Sequence, residues 1–164
     1  VMKGAGMDPA AYEGSVYDIR KDVQKFKREN GPDQGKDYSE LNDDQLTDDY
    51  HYMIFPNITM NVHADDMMMF RQRPHPEDPN KMFFDYYMYE LPDNEFDHDE
   101  YTRPKHKTYK YGDVSLGLVI NQDAYNLPHV QKGMNSAGYK GLWIGDQELR
   151  IRHFHKTLED YLKK

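Results

Sequence analysis

Met82-Phe83-Phe84-Asp85-Tyr86-Tyr87-Met88-Tyr89-Glu90-Leu91 is the stretch that decides the fold class. In extended backbone alternate side chains face opposite ways, so Phe84, Tyr86 and Met88 share one face while Phe83, Asp85, Tyr87 and Tyr89 share the other. Bulky residues on both faces predict a strand whose sheet has one face on a core and the other under a further layer. Two upstream segments, 51–62 and 67–72, have the same aromatic, β-branched and Met-rich character. Ala64-Asp65-Asp66 and the Pro-rich run 73–80 separate the three, which predicts antiparallel strands. Pro56 marks an edge or a bulge in the first of them.

Downstream, 92–110 is a charged connector, and over 111–134 the period changes. Leu116, Val119, Ile120 and Leu127 recur at three- and four-residue intervals, as on a buried helix face. Asp123 falls on that stripe, three residues after Ile120 and four before Leu127. A carboxylate on an apolar face costs on the order of several kcal/mol unless it is paired, hydrogen-bonded or metal-bound. Pro128 is expected to kink or restart the helix, with Leu127, Val130, Gln131 and Met134 continuing an inward stripe. A short turn or strand surrounds Leu142-Trp143-Ile144. A last helix, capped by Asp146, carries Ile151, Phe154, His155, Leu158, Tyr161 and Leu162 on one face.

Upstream, 1–50 is rich in Gly, Asp and Lys. It holds one amphipathic helix near 16–26, with Ile19, Val23 and Phe26 on one face, and shows no evident packed unit. The expected organisation is a polar segment with a short helix over 1–44, followed by a larger unit over 45–164. The 164 residues suffice for one core, and 14 Tyr, 7 Phe and 10 Met supply bulk for it. A mean hydropathy of −1.04 predicts long polar connections as well.

A formal charge of −8 disfavours nucleic acid as a partner, since such binding needs a basic face. With no cysteine the chain has no disulfide, thiolate zinc site, Cys nucleophile or iron–sulfur cluster of its own, which is compatible with a cytoplasmic home. No apolar run approaches the ~20 residues of a membrane span. The start at Val1-Met2-Lys3-Gly4 leads us to expect a chain that begins partway through a longer reading frame.

Asp123 has two readings on this basis: a carboxylate in an ion pair or helix break beside Pro128, or a metal ligand or catalytic group facing a pocket. Other constellations are weaker. Asp48-Asp49-Tyr50-His51 has no second His before His63, and His153 and His155 are two residues apart on a helix, pointing to different sides. Asp93, Glu95, Asp97 and Asp99 alternate like a calcium loop, yet His98 stands where Gly is needed and Pro104 where Glu is needed. A solvated acidic loop is the expectation. No phosphate loop or nucleophile elbow is present.

Asp49-Tyr50-His51-Tyr52-Met53-Ile54-Phe55-Pro56-Asn57, followed by Phe70-Arg71-Gln72-Arg73-Pro74-His75-Pro76, resembles the catalytic domain of Rieske non-haem iron oxygenase α subunits. So do Asn121-Gln122-Asp123, Val130-Gln131-Lys132-Gly133-Met134 and Glu148-Leu149-Arg150-Ile151-Arg152-His153-Phe154-His155, in that order. The resemblance spans roughly 45–162.

It implies an α+β, helix-grip (START-like) fold, in which an antiparallel sheet packs on a long C-terminal helix beside a hydrophobic cavity; the fold would be incomplete in this chain. It implies that Asp123, eight residues before Gln131, is the carboxylate ligand of a mononuclear Fe(II), with Val119 and Asn121 near it on the pocket wall. The two His ligands, in an Asp/Glu-x-x-His-x-x-x-x-His motif, and the Rieske [2Fe-2S] cluster would belong to the parent protein upstream of Val1. Two imidazoles and one carboxylate leave coordination positions open for oxygen. The implied partners are an aromatic or other hydrophobic substrate, a reductase or ferredoxin donor fed by NAD(P)H, and sister subunits in a homotrimer or larger ring, with neither nucleic acid nor membrane involved. The expected activity is ring hydroxylation with O2, by mono- or dioxygenation, and this fragment alone is expected to be inactive. Two rival readings are a non-catalytic START-like module for an apolar ligand and an inactive structural fragment.

Overall fold

The computed structural model describes residues 2–91 and 106–163. The acidic run Asp93, Glu95, His98, Asp99 and Pro104, read above as a solvated loop, lies outside the described residues, as does most of the predicted connector. The chain is α+β, with an open, incomplete antiparallel sheet and several helices, the last of them C-terminal. It divides into two compact units, Val1–Tyr101 and Thr102–Lys164.

The first unit begins with helical elements. Helix α1 spans Ile19–Asn30, and Val23 on its apolar face is 1% exposed. Lys27 and Arg28 occupy its last turn, where positive charge complements the helix dipole. Helix α2, Asp43–Thr47, starts in a capping box in which Asn42 Oδ1 accepts from Gln45 N and Gln45 Oε1 accepts from Asn42 N. Gln24 of α1 donates to Asp43 O and Thr47 Oγ1, and Arg20 and Arg28 pair with Asp44, Asp48 and Asp43, so polar contacts dock α2 on α1.

Among the described residues the buried apolar side chains are Met2, Ala5, Val23, Tyr38 and Leu46, all within the first fifty positions. This corrects the expectation that the segment holds no packed unit. The apolar residues there are few and scattered, but the turn at Lys3–Ala5 brings Met2 and Ala5 onto Val23. Met7, Tyr12 and Ile19 close around them.

The sheet follows in the order β1-β2-β3-β4, with strands Tyr50–Ile54, Ile58–Val62, Asp66–Pro74 and Met82–Glu90. Every pairing is antiparallel. The predicted single strand over 51–62 is therefore a hairpin. Pro56 lies in its turn, after a cis Phe55–Pro56 bond, and not at a bulge. Asn57 in that turn donates from Nδ2 to Gln72 O, tying it to β3.

Register confirms the alternation read in β4. One face carries Phe70 stacked between Phe84 and Tyr86, with Met68 opposite Met88. The other carries Met67, Met69, Arg71 and Arg73 opposite Tyr89, Tyr87, Asp85 and Phe83. No residue of the four strands is fully buried, so neither face has the closed core that the pattern predicts.

In the second unit, helix α3 spans Leu118–Met134 and helix α4 spans Leu149–Leu162. Pro128 sits inside α3, which runs through it as one helix and does not restart. Glu148, not Asp146, occupies the N-cap of α4, and its Oε2 reaches back to accept from Gly145 N at 2.7 Å. Arg152 Nη2 donates to Gly145 O at 2.5 Å and closes the same turn.

Candidate functional site

Asp123 sits in the second turn of α3, whose start is organised by Asn121. The Asn121 amide accepts from Leu116 N at 3.0 Å and donates to Ser115 Oγ at 2.7 Å, so it straps the preceding loop onto the helix. Gly117 at the N-cap has φ +91°, a backbone conformation that suits glycine. The helix thus starts just over one turn before Asp123.

An open recess along α3 is lined by Leu118, Asn121, Gln122, Asp123, Tyr125 and Asn126. Two of the three sequence-predicted residues, Asp123 and Asn121, meet there. Val119 does not line it and is 68% exposed. Asp123 is itself exposed, and so are Leu116, Leu127 and Val130 of the predicted inward stripe. The desolvation cost that drew attention to this carboxylate does not arise in the described residues.

The test for iron is the donor set. Asp123 offers an accessible carboxylate, but among the described residues no three His, Cys, Asp or Glu side chains come together as a metal cage. His129, on the same helix, places Nδ1 2.9 Å from Tyr125 O and its ring against Tyr125. On β1, His51 pairs with Asn61 across the hairpin at 2.6 Å, while His63 lies 2.7 Å from Asp66 Oδ1 and 3.7 Å from Asp49 Oδ1. The described residues therefore bring no complete iron ligand set together around Asp123.

Two polar clusters escaped the sequence reading. Asp65, in the β2–β3 turn, accepts from Lys27 Nζ and Tyr38 OH. Burial alone would raise its pKa, but these two donors hold it below the usual carboxylate value. Asp85 accepts from Arg73 at 2.8 and 2.9 Å and from Arg71 at 2.9 Å. The Arg73 fork, against an opposing effect of burial and with help from Arg71, holds Asp85 down at about 2. The available signal was the Arg71-Gln72-Arg73 spacing, which puts two cations on one strand face, together with a lone Asp among aromatics in β4.

The family model described as ring hydroxylating alpha subunit (catalytic domain) matches residues 3–164. No curated protein and no solved structure gives a match. The matched region takes in the small N-terminal core apart from Met2, as well as the sheet and both C-terminal helices. With nearly its whole length matched, the chain belongs to the catalytic-domain family of ring-hydroxylating α subunits, the Rieske-type group that its motifs resemble.

Proposed function

We infer that this chain forms part of the catalytic domain of a Rieske non-haem iron oxygenase that hydroxylates an aromatic or other hydrophobic substrate. The family match over residues 3–164 carries the inference. Residues 45–164 would be the C-terminal part of that domain and 1–44 its polar leading segment. In the complete domain the sheet and the last helix would form a START-like grip around the substrate.

Asp123 is the residue we assign to iron. It is exposed on α3, in a recess shared with Asn121, and its negative charge would offset part of the metal's. Two neutral imidazoles from outside this chain would complete the ligand set. Asn121 has the clearest positioning role, because its amide fixes the loop that leads into the helix. Asn121 and Val119 are the proposed wall residues. Electrons would arrive from NAD(P)H through a reductase or ferredoxin and a Rieske [2Fe-2S] cluster of the parent protein, in a trimer or larger ring of subunits. No helix among the described residues is long and apolar enough to cross a membrane. The absence of cysteine suits a reducing, cytoplasmic setting.

The complete polypeptide, supplied with reductant and an aromatic hydrocarbon under isotopically labelled O2, should place one or two labelled oxygen atoms in the product. A product whose new oxygen comes only from water, and therefore carries no label, would contradict the oxygenase reading. Binding of the hydrocarbon without turnover, and without any dependence on Fe(II), would favour the apolar-ligand module instead.

A further inference from the structure

The geometry points to a binding site for an aromatic carboxylate on the sheet face that carries Arg71, Arg73 and Tyr87. The site stands on the sheet alone and does not depend on the role of Asp123. Arg71 and Asp85 are cross-strand partners, as are Arg73 and Phe83, and Met69 and Tyr87. Two guanidinium groups therefore share one carboxylate. Asp85 is the only acidic side chain at these positions of the face, and it leaves the cluster with one positive charge in excess.

The arginines are held in place without being used up. Arg73 binds Asp85 through Nε and Nη2, and Arg71 binds it through Nε and through Nη2, which lies 2.7 Å from Asp85 Oδ2 and also 3.2 Å from Tyr87 OH. Among the described residues neither Nη1 has a partner. The two side chains remain 42% and 43% exposed, whereas Asp85 beneath them is 15% exposed. Long, flexible arginines fixed in this way lose little further entropy when they take up a second anion, and planar N–H pairs match a carboxylate.

The surroundings supply the aromatic half of the ligand. Arg73 lies over the Phe83 ring at 5.1 Å, and His75 stacks on that ring from the neighbouring loop. In the other direction Tyr87 and Tyr89 stack at 6.3 Å, opposite Met69 and Met67. Successive same-face rows are roughly 7 Å apart in a strand, so a single ring bearing a carboxylate reaches from the guanidinium row to the Tyr87 row. An anion with no ring would forgo the aromatic floor, and a ring with no charge would forgo the arginines.

The test is an NMR titration of the isotopically labelled full chain with benzoate, with acetate and benzyl alcohol as the ringless and uncharged controls. Benzoate should shift the Arg71 and Arg73 Nε–H and Tyr87 ring resonances saturably, with each control at least tenfold weaker. Arg71→Gln, which leaves the Arg73–Asp85 fork intact, should weaken benzoate tenfold or more. Equal responses to benzoate and acetate, no saturation, or unchanged affinity in Arg71→Gln would overturn the proposal. If Arg71→Gln loses its far-ultraviolet dichroism, Arg71→Lys takes its place. It keeps the charge without the fork, so a severalfold weakening is expected, and wild-type affinity would overturn the proposal.

Discussion

Lys27 Nζ lies 2.5 Å from Asp65 Oδ2, and this ion pair joins helix α1 to the turn between β2 and β3. The side chains are only 11% and 26% exposed, and Tyr38 OH donates to the other carboxylate oxygen. The small N-terminal core and the sheet are thereby held in one unit through a charged contact more than through shared apolar packing.

Asp65→Asn should accordingly destabilise the chain by about 2 kcal/mol, because it leaves a mostly buried ammonium without its counter-charge. Urea unfolding followed by circular dichroism measures this. A loss within ~0.5 kcal/mol, the range of an ordinary surface substitution, would show that the pair does not hold the sheet.

Acid should act through the same carboxylate and through Asp85. Both have pKa values below the ordinary ones, Asp85 at about 2. A group whose folded pKa is depressed contributes stability above its unfolded pKa, near 4, and loses it as pH falls through the folded value. The unfolding midpoint in urea should therefore decline between about pH 4 and pH 2. Asp65→Asn should flatten part of that decline, and an identical pH profile in the variant would contradict the assignment.

Gly31→Ala tests how closely the N-terminal core is packed. A Cβ there would lie 2.5 Å from Tyr38 Cε2 and 2.6 Å from Lys27 O, and neither the ring nor the helix backbone can yield cheaply. The expected loss is about 1–3 kcal/mol, read from thermal unfolding, although alanine is otherwise the better helix former. A neutral or stabilising outcome would mean that Tyr38 repacks freely.

Strands β3 and β4, helices α1, α3 and α4 and the face assignments of β4 were legible because hydrophobic period reports backbone geometry directly, whereas the five-residue helix α2 is too short to show a period. The hairpin at Phe55-Pro56-Asn57 was not, since apolar residues on both sides of a three-residue turn look like one continuous strand. The cap of α4 was misplaced because Asp146 is the better capping type, whereas the chain uses Glu148 and Arg152 to close the turn. The N-terminal core was invisible to periodicity. Met2 and Ala5 come from a different segment than Val23, and only tertiary folding brings them onto it.

Asp123 was found for a reason that the structure modifies. Periodicity marked a carboxylate among apolar residues, yet in the described residues that stripe is largely exposed. Asp123 lies in a recess beside Asn121, on a helix within the matched family region, and its assignment to iron is our proposal. Arg71, Arg73 and Asp85 escaped notice because a sequence does not display which residues pair across strands.

The most direct measurement is the iron content of the complete polypeptide, wild type against Asp123→Ala, with the visible spectrum of the Rieske cluster as the check on folding. The account predicts that the variant keeps the cluster spectrum, loses mononuclear iron by tenfold or more, and no longer hydroxylates substrate. Full iron retention with normal turnover in Asp123→Ala would contradict it.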